Sequence, residues 1–291
     1  MPRAAQHAPR YPVSMSPADV GLVYESVTLS STGDNIELAA WWIPAVEPRA
    51  NMVFIHGHGS NRHSTYFRSL DFYRAMHDAQ VSILTIDLRN HGDSGTDGKG
   101  SQWGKSEAAD ATAGVNWLQE KSPELPLLAF GMSMGGATVI NAAARGASID
   151  GLILVDPLLD TRSAFAKGGW VETGFPSFLF APAAAAAVTF YGFPDGEESA
   201  LNLAVDLDLP ILLIQDPEDP VTLANYARKL AGENPRVTLW EAPKIVSEAQ
   251  RAEIAWKERW GSHVAAFHLY PKETMVQIDR FIMQLTANAG T

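Results

Sequence analysis

The chain has 291 residues, 46% of them apolar, a formal charge of −11 and no cysteine. Such a length and apolar content suit one or two domains with a sizeable core, and exclude disordered or fibrous protein. The acidic balance argues against nucleic acid or an anionic membrane as partner. The missing cysteines exclude disulfides, thiolate metal sites and a cysteine nucleophile. Residues 1–17 are polar and proline-containing, without the apolar stretch of a secretory signal. No window reaches the roughly 18 uninterrupted apolar residues of a membrane span. A cytoplasmic protein with no integral membrane segment is the expectation.

Two strands, Val23–Leu29 and Ile36–Ile43, flank Ser31-Thr32-Gly33-Asp34-Asn35, a hairpin signal. Met52-Val53-Phe54-Ile55 is an unbroken apolar run of the kind a buried parallel strand shows. Strand and helix then alternate: helix Tyr66–His77, strand Val81–Ile86, helix Ser106–Glu120, strand Leu127–Phe130, helix Ala137–Ala144, strand Gly151–Val155. The alternation pauses at Pro157 and resumes at Pro210–Ile214. The interval is rich in Phe, Ala, Pro and Gly, and is expected to form a helical lid, residues 157–205. A helix Thr222–Leu230, a strand Val237–Glu241 and an amphipathic helix from Lys272 to about Thr286 complete the pattern. It predicts an α/β fold: a mostly parallel sheet of about eight strands covered on both faces, with ligands at the strands' carboxyl ends. The core is expected over 20–156 and 206–291, preceded by an extension, 1–19.

The chemistry centres on Gly131-Met132-Ser133-Met134-Gly135-Gly136, which lies between an apolar strand and an alanine-rich helix. In that context G-x-S-x-G forms a tight turn that lifts a serine hydroxyl above the sheet edge and leaves the Met134 N–H at a helix N-terminus. A serine needs a base, and the base needs a group to hold its tautomer. Downstream, the strand Ile211–Ile214 runs into an acidic loop containing Asp216, Glu218 and Asp219, and only His263 and His268 follow.

The order serine, acid, histidine resembles the α/β-hydrolase superfamily, from about Val20 onward. The closest likeness is to its esterase and peptidase-like branch with an H-G-x-G-x-N-R loop. The residues that carry the likeness are His56-Gly57-His58-Gly59-Ser60-Asn61-Arg62, then Asp87-Leu88-Arg89-Asn90-His91-Gly92-Asp93-Ser94, and His263 before Pro271-Lys272-Glu273. The resemblance implies Ser133 as nucleophile, His263 as base and Asp219 as acid, the last because Val221 follows closely. It also implies an oxyanion hole of the His58 and Met134 backbone N–H groups. Asp216 and Glu218 stay open as acids, and His268 as base. His56, Gly57, Asn61, Arg62, Asp87, Arg89 and His91 are expected to brace the oxyanion loop. The histidines of this region form no complete metal-ligand set, and no organic-cofactor motif is present.

Met132, Phe165, Trp170, Phe178 and Phe190 are candidates to line a substrate pocket. Two departures from the family pattern stand out. Lys244–Trp260 is longer than the usual loop before the histidine and predicts an extra helix beside the site, and Phe267 and Leu269 make the histidine loop unusually apolar. The expected activity is carboxylic-ester hydrolysis through an acyl-enzyme on small to medium apolar acyl groups. A peptidase, amidase, thioesterase or acyltransferase on the same triad is the alternative, and a non-catalytic binding protein is the reading of another class.

Overall fold

A computed structural model describes residues 5–7 and 9–289. The remaining residues of the expected N-terminal extension lie outside those described. The sheet has eight strands, in order β1-β2-β4-β3-β5-β6-β7-β8. They are β1 (Glu25–Ser30), β2 (Glu37–Ile43), β3 (Ala50–Ile55), β4 (Val81–Ile86), β5 (Leu127–Met132), β6 (Gly151–Val155), β7 (Ile211–Gln215) and β8 (Val237–Glu241). β1 and β2 form the antiparallel hairpin and β2 pairs antiparallel to β4, while every pair from β4 to β8 is parallel.

The central strands are buried on both faces, which is why they read as continuous apolar runs. In β3, Val53 and Ile55 join one core cluster, while Met52 and Phe54 join the other. This alternation follows the two-residue period of the strand. On the first face pack α2 (Ala108–Lys121), α3 (Met134–Ala144) and α7 (Ala224–Glu233). On the second pack α1 (Ser69–Asp78) and α10 (Pro271–Ala289), around Phe54 and Phe130 stacked at 4.8 Å.

Between β6 and β7 come α4 (Thr161–Thr173), α5 (Ala181–Tyr191) and α6 (Ala200–Val205). The Asp160 side chain caps α4 by accepting the Ser163 N–H at 2.7 Å, and Gly174 ends it in a left-handed conformation. Phe175, Phe178, Leu179 and Phe190 of this insertion are exposed. Among the described residues no single helix is long and apolar enough to cross a membrane. After β8 the expected extra helix is present as α8 (Glu248–Ile254), continued by a 3₁₀ segment, Ala255–Trp260, before the short α9 (Ala266–Leu269).

Several helix starts differ from the sequence pattern, for local reasons. α1 begins after Arg68, whose left-handed φ of 59° breaks the helix predicted from Tyr66. α7 begins at Ala224 rather than Thr222, because Leu223 keeps an extended backbone, with ψ 130°. α3 begins directly after the serine, at Met134.

Candidate active site

Ser133 joins β5 to α3 with φ 52° and ψ −122°, a conformation that costs a non-glycine residue about 1–3 kcal/mol. The glycines around it make that turn possible. A Cβ on Gly131 would collide with the Gly135 carbonyl, and one on Gly135 with the Ile55 carbonyl. A Cβ on Gly136 would sit 2.7 Å from Pro157 Cβ. The Ser133 carbonyl accepts the N–H groups of Gly136 and Leu158 at 3.0 and 2.9 Å, which fixes the turn to the helix and to the loop after β6.

Ser133 Oγ lies 3.0 Å from His263 Nε2, and His263 Nδ1 lies 2.7 Å from Asp219 Oδ2. A carboxylate facing Nδ1 requires the proton there, which leaves Nε2 free to accept the serine proton. The other Asp219 oxygen accepts the Val221 and Thr222 N–H groups, both at 2.7 Å. The alternatives are engaged elsewhere. Asp216 accepts the Glu218 N–H, Glu218 faces Lys244 at 3.6 Å, and His268 faces Glu253 at 3.7 Å.

Neither the Met134 nor the His58 backbone N–H donates to a backbone or side-chain acceptor among the described residues. The His58 side chain turns away from the serine, its ring 4.7 Å from Trp103 and 5.7 Å from His91. Burial, with His91 adding a smaller effect, lowers His58 to about 3, so it is neutral. His56 is also held neutral by burial. Its Nδ1–H donates to the Gly57 carbonyl at 2.8 Å, and Nε2 accepts the Leu88 N–H at 3.0 Å.

The residues expected to brace this loop divide into two networks. Asp87 accepts the Arg62 N–H at 2.6 Å and pairs with its guanidinium, which also reaches Asp93 at 2.7 Å. Asn61 donates to the Tyr11 carbonyl and accepts the His63 N–H, tying the N-terminal segment down. His91 packs on the His56 ring at 5.1 Å and bonds the Arg89 carbonyl. The Arg89 side chain, by contrast, turns to Asp110, Asp34 and Ser31. It therefore joins α2 to the β1–β2 hairpin instead of bracing the oxyanion loop.

The pocket candidates separate as well. A cleft of about 450 Å³ beside Asp219 is lined by Trp170 and Phe178, together with Lys167, Pro220 and Leu223. Phe165 does not line it. It packs edge-on against Phe193, which contacts Trp103 and so connects the insertion to His58. Phe190 is 78% exposed, and Met132 is buried in the core beneath the serine. Neither faces the cleft.

Sequence reasoning passed over three residues at the centre. Asp156, at the end of β6, is fully buried, and its carboxyl lies within 4.8 Å of the ligand atoms of Asp219 and His263. Such a trio has the donor chemistry of a cation site. Here, however, Asp219 and His263 bond each other, and the Asp156 oxygens accept the Asp216 and Val264 N–H groups. Burial, then the neighbouring Asp219 and Asp216, push the Asp156 carboxyl well up. A carboxylate directly after an apolar strand was the available signal. Lys257 and Trp260 gave none, since a lysine and a tryptophan in a polar segment read as surface.

Ser133, Asp156 and Val264 all have positive φ, at 52°, 41° and 51°. Strained backbone thus gathers at the site, as it does where geometry is fixed for chemistry.

The strand order, the serine turn and the helices on both faces make this chain an α/β-hydrolase by fold. It superposes on the esterase Pf2001 of Pyrococcus furiosus with a TM-score of 0.75 and 22% identity, over 96% of this chain and 97% of that one. Ferulic acid-bound Est1E of Butyrivibrio proteoclasticus gives 0.64 and 16%, over 90% and 99%. More particularly, residues 46–181 match the family model described as serine aminopeptidase, S33. Monoglyceride lipase of Rattus norvegicus is 29% identical over 124 residues, 41% of this chain and 38% of that protein. Lysophosphatidylserine lipase ABHD12 of Macaca fascicularis is 22% identical over 200 residues, 65% and 47%. The matched regions thus span less than half the length of these curated relatives.

Proposed function

We propose that the protein is a serine carboxylic-ester hydrolase acting on small to medium apolar acyl esters. The observation that carries this is the unbroken line from Ser133 Oγ through His263 to Asp219, at 3.0 and 2.7 Å. In this mechanism Ser133 Oγ attacks the ester carbonyl carbon while His263 Nε2 takes the hydroxyl proton. The carbonyl oxygen becomes an oxyanion, held by the His58 and Met134 N–H groups. Each such donor is worth roughly 2.7–4 kcal/mol of barrier. Collapse expels the alkoxide, which receives the proton from the imidazolium and leaves an acyl-serine. Water, deprotonated by the same imidazole, then releases the acid and restores the serine.

Residues 157–205 would act as the lid on the core, with Trp170 and Phe178 offering apolar surface to the acyl chain. The esterase and lipase names among the relatives agree with this activity. A peptidase would need a free carboxylate in the lid for the substrate amine. Of the four candidates, Glu172 bonds Trp260, Asp195 pairs with Arg162 and Glu198 with Lys105, which leaves the exposed Glu197 for that role. The test is labelling with a fluorophosphonate, followed by parallel hydrolysis of a nitrophenyl ester and an aminoacyl anilide. An adduct on Ser133 with dominant ester turnover is expected, and dominant anilide turnover would defeat the ester assignment.

A further inference from the structure

The segment after β8 takes no part in the hydrolytic steps, yet it is built around one buried cation. Lys257 is 1% exposed. Its ammonium donates to the His263 carbonyl at 3.2 Å and lies over the rings of Tyr66 and Trp256, 5.5 and 5.9 Å from their centroids. Those two rings are themselves 5.0 Å apart. The charged groups whose fields reach it are Asp156 at the end of β6 and Asp219 in the acid loop, with His268 on α9. Glu172 and Glu258 act on Tyr66. A lysine that only filled space here would be worse than a methionine, because an ammonium loses its hydration on burial.

The same segment also grips the lid. Arg259 Nε donates to the Val171 carbonyl at 2.6 Å, and Trp260 Nε1 donates to Glu172 at 3.2 Å. The Trp260 ring lies 5.7 Å from the His263 imidazole. Between lid and base, Lys257 holds the His263 carbonyl, while the His263 N–H donates to the Trp260 carbonyl at 3.0 Å.

We propose that Lys257 is a positioning residue for His263: it holds the histidine through its carbonyl, and its positive charge opposes capture of a proton by an imidazole set beside Asp219. The inference rests on reading Ser133, His263 and Asp219 as the triad. Electrostatics give the sign. The Asp219 carboxylate favours the imidazolium, which cannot act as base, and a nearby cation disfavours it. Burial lowers Lys257 to about 8, so it is charged at neutral and acid pH.

The test uses the full chain with K257M, K257Q and K257R, all rates being normalised to serine titrated with fluorophosphonate so that unfolded protein does not count. K257M is expected to lower kcat about tenfold with little change in KM, and to move the acid limb of kcat/KM about one pH unit higher. K257Q, which can still donate to the His263 carbonyl but carries no charge, should show the same limb shift with a smaller fall in kcat. K257R should keep the limb where the wild type has it. An unchanged acid limb in K257M and K257Q, with wild-type Ser133 labelled and active, overturns the role of Lys257 alone. Failure of wild-type Ser133 to label overturns the triad reading, and this inference with it.

Discussion

Asp156 Oδ2 accepts the N–H of Val264, the residue after His263, at 2.9 Å. Its Oδ1 accepts the N–H of Asp216, at the start of the acid loop, at 2.7 Å. One buried carboxyl therefore joins the two loops that carry the proposed acid and base. It also explains how Val264 holds φ 51°, a conformation costly for a β-branched side chain. Its effect on chemistry is separable from that of Asp219.

Ser133→Ala should reduce ester turnover by roughly 10⁵-fold or more, and D219N by about 10⁴-fold, since an asparagine no longer fixes the imidazole tautomer. D156N should cost only about tenfold in kcat, together with about 1–3 kcal/mol of stability, because its amide places a donor against a backbone N–H. Steady-state kinetics and thermal unfolding of the three variants check this. Equal losses for D156N and D219N, at equal stability, would contradict the division of labour.

The cleft makes a prediction about side chains that composition alone could not separate. W170A and F178A should raise KM for a longer acyl ester several-fold while leaving kcat within a few-fold. F190A, on the exposed side of α5, should leave both unchanged. A chain-length series of nitrophenyl esters measures the contrast.

Acid stability should follow the buried histidines. Burial lowers His58 to about 3 and also lowers His56 and His91, so each is neutral in the fold. An unfolded histidine gains its proton near 6.5. As pH falls below that value the unfolded state binds more protons, and stability falls by up to about 1.4 kcal/mol per pH unit per histidine. Denaturant unfolding of wild type and H58Q at pH 7, 6 and 5 should show the decline in their difference, and a pH-independent difference would refute neutral burial of His58.

Lys257 produces a slope of the same sign at the other end of the scale. Its ammonium titrates near 8 in the fold against 10.5 for the ordinary side chain. Between those values the unfolded chain holds one more proton, so stability contributed through this group rises with pH. The wild-type minus K257M difference in unfolding free energy should therefore grow between pH 8 and 10. No change in that difference would show an ammonium charged in both states.

How much of this was legible beforehand can be judged from particular residues. β3 was readable from Met52 to Ile55 because a strand buried on both faces must be apolar at every position. Gly131 and Gly135 marked the serine turn because any side chain there meets backbone. The edges of β4, β6 and β8 were readable too, but the starts of the helices were not. α1 starts late because Arg68 goes left-handed, and α7 starts late because Leu223 stays extended.

By itself the sequence determined the alternation of strand and helix, the turn at Ser133 and the order of candidate groups along the chain, since these depend on local periodicity and local sterics. Only the tertiary structure decided which acid faces His263, that Arg89 serves the hairpin instead of the glycine loop, and that Asp156 and Lys257 lie beside the imidazole. Those are contacts between residues as much as 108 positions apart, or polar groups whose environment is set by whatever covers them. A carboxylate or ammonium carries no local sign of the partner that will bury it.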